Sequence, residues 1–434
     1  VGILSILFLV MAVMAVVAIL ASHTYAGIYA YLFLYLSNPA NNWWAWGIPS
    51  ISYSFYFSTL TLLFTFVYTK RLTFNNYRFF PEYKLFILLA LLYVIATYYA
   101  VGRQTHIFHL EHYLKLIIIF FLTVLILSDW SKIKGLMITY ALGAMFIGLE
   151  AQNRGRDIHG RVEGIGPLDL PDSNGASAVI VPAIIFCAFL VWRSTWKWKF
   201  IYGAALVLIL NGLVLINSRG AFVGTAFGCC YMMYFLIKSD LKFKFQKSYI
   251  AIAIVSIPIV ATVLVDDAFI SRMQTISETK IDDYQTSGAS RINYWFATFD
   301  LLENYPFGAG IYGYQLLSPT LLSEELINAS ARKNSFRAVH SSWFQVASEI
   351  GWFGVAVFIV IIFKAMKKLK DCRRTLNDRK DTNGYYYVVC IESALVSYLV
   401  VISFIDGGRT VPLYLLLALA FCAHAITHRH EEKK

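Results

Sequence analysis

The chain has 434 residues, 58% of them hydrophobic and 15% charged, with a mean hydropathy of +0.59. That balance excludes a soluble globular domain and describes an integral membrane protein. A net charge of +11 does not signal nucleic-acid binding here, because the basic residues sit in short segments between apolar runs and lack a stacking-aromatic pattern.

In chain order, apolar runs cover residues 3–21, 51–68, 85–101, 114–127, 137–149, 176–192, 200–216, 221–237, 250–265, 343–363, 388–405 and 411–426. Most are long enough to cross a hydrocarbon core as helices, some by borrowing flanking polar or aromatic residues. No alternating-polarity segments of barrel type occur, so the expected fold is all-α: a polytopic membrane bundle of about 12 transmembrane helices. Residues 1–37 hold either one crossing or two, the second a short helix over 25–36. The N-terminal run lacks a basic leader and a small-residue cleavage site and reads as a retained helix.

Lysine and arginine set the orientation. Segments 70–84, 129–134, 193–199, 238–248, 364–387 and 428–434 hold 24 of the 37 basic residues. They alternate with basic-poor segments and read as cytoplasmic. The external side then receives 38–50, 102–113, 151–174, the turn at 218–220, the long segment 266–340 and 406–410. The chain is thus expected to be one integral membrane domain over 1–434, with 266–340 as a large periplasmic loop, too long for a simple connection. Inside that loop, Ile292, Trp295, Phe296, Phe299 and Leu302 recur at helical spacing, predicting an amphipathic helix over 290–303 on the bundle or the membrane surface. Residues 304–310 form a turn rich in Pro and Gly, and Ser341 or Ser342 caps a helix after His340. Of six cysteines, Cys187, Cys229, Cys230, Cys390 and Cys422 lie in apolar runs and Cys372 in a basic loop, so no disulfide framework or cysteine-rich metal site is expected.

Three residues far apart in sequence, Arg219, Arg291 and His340, are expected on one face. Two arginines match phosphate oxygens in a forked, always-charged geometry. A histidine at a helix N-terminus beside Arg337 is held neutral and able to accept a proton. Plain readings stand beside these: Arg219 snorkelling to lipid headgroups, Arg291 paired with Asp300 or another acid, and His340 as a capping or core residue. The cluster His106, His109, Glu111 and His112 is a poor metal site, because a helix turns His106 and His112 away from each other. The first external loop, 38–50, carries no carboxylate, which disfavours metal-dependent transfer, and no metal or other cofactor is expected.

From His340 the spacing His-Ser, nine residues, Gly351, two residues, Gly354 resembles the motif of O-antigen ligases and related bacterial O-oligosaccharyltransferases. Asn217-Ser218-Arg219-Gly220-Ala221 is similar to the same family, as are Arg291 with Trp295 before the Pro306, Gly308, Gly310 turn, and Arg161 to Gly164 followed by Asp172-Ser173-Asn174. The resemblance implies a metal-independent glycosyltransferase of the GT-C type. Such an enzyme moves glycan from undecaprenyl diphosphate to a lipid A-core acceptor on the periplasmic face of the bacterial inner membrane, with membrane lipids as its surroundings. His340 is then the base and Arg219 and Arg291 the diphosphate clamps, with Arg161, Arg337 and Arg409 as further contacts to donor or acceptor. A repeat-unit polymerase or a protein O-oligosaccharyltransferase would use the same donor. The end of the chain just after its last helix favours the lipid acceptor. A flippase would instead line a midplane path with charge.

Overall fold

The computed structural model describes residues 2–39, 42–75, 80–158, 160–243, 245–252, 254–255, 270, 288–328 and 336–429. Its elements in order are α1 (Ile3–Leu20), α2 (Tyr25–Ser37), a 3₁₀ turn (Trp43–Gly47), α3 (Tyr53–Val67), α4 (Tyr83–Ala96), α5 (Arg103–Ile126), α6 (Trp130–Arg154), α7 (Ser173–Arg193), α8 (Trp196–Ile216) and α9 (Arg219–Lys238). There follow α10 (Gly288–Asn304), α11 (Gly313–Leu321), α12 (Glu324–Asn328), α13 (Ser342–Asp378), α14 (Thr382–Ile402) and α15 (Val411–His428). No strand occurs among the described residues. The protein is a polytopic helical membrane protein: nine of the described helices are long and apolar enough to cross a bilayer, and α2, α3 and α4 are shorter apolar helices. Residues 3–37 hold two helices, α1 and α2, while most of the run at 250–265 lies outside the described residues.

Burial separates the inner helices from the outer ones. The apolar window of α7 is 89% buried, against 17% for α1 and 28% for α9, so α7 is a hub and α1 faces lipid. α7 packs on α6, α8, α9 and α14, and α15 on α5, α13 and α14. In hydrocarbon, helices gain from close backbone approach more than from apolar character, which favours small residues at crossings. At the α6–α8 crossing Gly148 faces Gly212, where an added Cβ on Gly148 would lie 2.3 Å from the Leu208 carbonyl oxygen.

The basic end of the bundle is stitched by buried ion pairs, Lys368 to Glu82 at 3.3 Å and Arg373 to Glu392 at 2.6 Å. At the other end lie the starts of α7, α9, α13 and α15, with α10 packed on α13. α10 matches the expected amphipathic helix, but its face toward the bundle differs. Tyr294, Ala297, Thr298 and Leu301 are buried, whereas Ile292, Phe296 and Phe299 are 46%, 63% and 44% exposed. Of the expected apolar stripe, Leu302 is buried and Trp295 half-buried, so a second apolar face turns outward, as suits a helix at a membrane boundary.

Candidate active site

Arg219 is the first residue of α9. The chain leaves α8 through Asn217 in the left-handed conformation (φ 58°), which lets two antiparallel helices meet in a tight turn with Ser218 at the N-cap. The Ser218 hydroxyl donates to Asn174 Oδ1 at 3.1 Å, and Arg161 Nη2 donates to the same oxygen at 2.9 Å. Asn174 thereby ties the loop before α7 to the start of α9. Glu163 holds the same loop by accepting from the Ser173 backbone N–H at 3.0 Å and its hydroxyl at 2.9 Å, while Asp172 caps α7 through the Gly175 N–H.

Arg291, in the first turn of α10, completes a group of three arginines. Burial pushes its guanidinium down to about 10, the fields of Arg219 and Arg161 push the same way, and Asp172 and Asp406 partly oppose them. Its Nε is buried with no hydrogen-bond partner among the described residues. Asp300 lies nine residues along the same helix, about 13 Å away at 1.5 Å per residue, so the alternative of an Arg291–Asp300 pair does not arise.

His340 stands immediately before α13, with Ser341 at the N-cap and its own backbone left-handed at φ 56°, an uncommon state for a residue with a side chain. Its ring is 6.1 Å from that of Tyr294 in α10, and it makes no hydrogen bond among the described residues. Burial holds the imidazole far below its ordinary range, at about 3, with the charges of Arg291 and Arg337 adding to the effect. Desolvation outweighs the charge of Arg337 expected from the sequence. A neutral imidazole with open ring nitrogens beside a cationic cluster has the chemistry to accept a proton.

The other two arginines are engaged elsewhere. Arg337 is buried: its backbone N–H donates to Ser318 Oγ at 2.8 Å, and its guanidinium reaches the Ile327 carbonyl. Arg409 forks onto Glu349 through Nε at 2.8 Å and Nη2 at 2.7 Å, and Tyr93 donates to the same carboxylate at 2.8 Å. That pairing holds the Arg409 charge firmly in place, as its upward-shifted ionisation reflects, and turns its fork inward rather than toward a phosphate. The histidine cluster also disperses. His106 accepts from the Ile311 N–H at 2.9 Å and faces the Tyr93 carbonyl at 3.0 Å, His109 stacks on Tyr312 at 4.3 Å, and Glu111 pairs with Lys115 at 2.5 Å.

Asp406, in the short connection from α14 to α15, escaped the sequence reading. One carboxylate oxygen accepts from the Ser341 N–H at 3.1 Å, next to His340, and the other is buried without a partner among the described residues. Burial, with Glu349 nearby, pushes this carboxyl up to about 7. A lone acid between Ile405 and Gly407-Gly408 was the available signal, and it carried no motif.

The glycines of the His340 motif have a structural reason. α13 breaks at Ile350 and Gly351, the latter at φ 71°, and the freed carbonyls accept from the turn after α10: Ala309 N–H to Ser348 at 2.7 Å and Gly310 N–H to Glu349 at 3.0 Å. A Cβ on Gly351 would lie 2.6 Å from the Pro306 carbonyl oxygen, and one on Gly308 2.5 Å from the Glu349 backbone. The turn and the kink are therefore one joint, which sets Arg291 on α10 against His340 at the head of α13.

Residues 204–359 match the family model described as O-antigen ligase. Over that segment the chain is similar to the O-antigen ligase family. The match spans α8 to the middle of α13 and contains Arg219, Arg291, Arg337 and His340, with Arg161, Asp406 and Arg409 outside it. Among curated proteins none matches the chain. The similarity to the O-antigen ligase family supports a membrane glycosyltransferase of the ligase or polymerase type.

Proposed function

We propose that the chain is an O-antigen ligase that transfers glycan from undecaprenyl diphosphate to a sugar hydroxyl of lipid A-core, without a metal, on the periplasmic face of the bacterial inner membrane. The observation that carries this reading is the group of Arg161, Arg219 and Arg291 beside a half-buried, neutral His340 that makes no hydrogen bond among the described residues. A glycosyl diphosphate is already a good leaving group, so the protein must hold its growing charge and accept one proton. The acceptor oxygen forms a bond to the anomeric carbon as the carbon–oxygen bond to the diphosphate breaks. The leaving electron pair goes to undecaprenyl diphosphate, facing the arginines, and the hydroxyl proton goes to His340. A single displacement inverts the anomeric centre.

Charge also explains why the base works only with donor in place. In the free protein the arginines suppress imidazole basicity; a bound diphosphate offsets them and raises it, so proton acceptance is coupled to donor binding. The test is His340→Ala in purified, reconstituted protein. Transfer should fall about a hundredfold or more while affinity for the lipid-diphosphate glycan stays near wild type. Loss of donor affinity with turnover kept at saturation would make His340 a phosphate ligand and sink the general-base role.

A further inference from the structure

A second buried donor stands one helical turn beyond Arg291. The Trp295 indole lies parallel to Phe344 in the first turn of α13, ring centroids 5.6 Å apart and planes 9° from parallel, so the ring is fixed between α10 and α13. Its Nε1–H is buried and, like Arg291 Nε, has no acceptor among the described residues. Side chains four apart on a helix share one face, with their Cβ atoms about 6 Å apart. Two desolvated N–H donors left open on that face, beside the fields of Arg219 and Arg161, are complementary to an anionic oxygen.

The neighbourhood points to a lipid as the carrier of that oxygen. From Phe344 the rings continue to Phe299 at 6.0 Å and on to Trp352 at 5.5 Å. Phe299 and Trp352 are 44% and 48% exposed, and on α13 the outward residues Phe353 and Phe363, 61% and 65% exposed, carry the apolar surface onward. An anion seated at Arg291 and Trp295 therefore has an aromatic wall leading away along a spanning helix.

We propose that Trp295 is a donor-binding residue: its indole N–H and Arg291 Nε together take a phosphate oxygen of the lipid-linked diphosphate, with the isoprenoid leaving along the Phe344, Phe299, Trp352 row. This rests on the functional reading above and deepens it. The test measures binding of undecaprenyl diphosphate, inorganic pyrophosphate and undecaprenol to the full chain and to its Trp295→Phe variant, which keeps the stacked ring and deletes the N–H. Undecaprenyl diphosphate and pyrophosphate should each bind about tenfold more weakly to the variant, the scale of one charge-assisted hydrogen bond. Undecaprenol should bind equally to both, which also certifies that the variant is folded. Unchanged undecaprenyl diphosphate affinity would overturn the assignment, as would an equal loss for undecaprenol, which would make Trp295 a wall for the chain. Failure of the wild-type protein to bind undecaprenyl diphosphate would overturn the functional reading along with it.

Discussion

Arg219 and Arg291 hold a permanent charge in a planar fork, and what they do depends on the fork as much as on the charge. Arg219→Lys and Arg291→Lys should each weaken donor use by about 1.5–3 kcal/mol per charged hydrogen bond not remade, read as kcat/KM for the lipid-diphosphate glycan. A wild-type value in both would reduce these residues to general cationic surroundings. His340 and Asp406, which accepts from the backbone N–H of the following Ser341, carry opposite perturbations. His340, depressed to about 3, supports the fold fully above its unfolded value near 6.5 and loses that support as pH falls toward 3. Asp406, raised from 3.8 to about 7, supports the fold fully below 3.8 and loses that support as pH rises through 7. Between pH 4 and 6.5 the two slopes oppose each other. Thermal midpoints should therefore bend in opposite directions in the single variants: Asp406→Asn should lose stability on acidification, and His340→Ala on alkalinisation. Parallel curves would contradict the burial assigned to either group.

Among the elements, the joint between the α10–α11 turn and the α13 kink carries the most constraint. Gly351→Ala puts a side chain at φ 71° and 2.6 Å from the Pro306 carbonyl oxygen. It should destabilise the protein by more than about 1 kcal/mol and lower transfer by moving α10 relative to His340, checked by thermal unfolding and turnover together. Full turnover in a stable Gly351→Ala protein would mean that the kink does not position the site. The sequence made the helices readable through long apolar runs, and the α10 helix and the following turn through periodicity and Pro-Gly content. The break in α13 was not readable: residues 343–363 read as one mostly apolar run, interrupted only by Gln345, Ser348 and Glu349, and the kink arises from carbonyls given to a turn some forty residues earlier. The same limit hid which face of α10 packs inward, since both of its faces are apolar and only the contact with α13 chooses between them.

At the scale of the whole molecule, the alternation of basic-rich and basic-poor connections predicts that Arg219, Arg291 and His340, from three distant segments, share one end of the bundle, where the structure places them within reach of one another's charge. Arg219, Arg291 and His340 stand out as candidates in the sequence because each sits in a motif or at a helix start. Asp406, Asn174 and the Glu349–Arg409–Tyr93 network do not, because buried polar partners separated by tens to hundreds of residues leave no local pattern. Arg409 in particular has a carboxylate partner, Glu349, sixty residues away that no local pattern announces. The central claim, transfer from a lipid diphosphate to a lipid A-core sugar, is tested most directly by reconstituting the full chain with an undecaprenyl diphosphate-linked glycan and a chelator. Lipid A-core, a second lipid-linked glycan and a serine-containing peptide would be offered as separate acceptors. The account predicts that lipid A-core alone gains the glycan, with inverted anomeric configuration and undiminished by chelation; glycan on either other acceptor, or transfer that requires an added divalent cation, would contradict it.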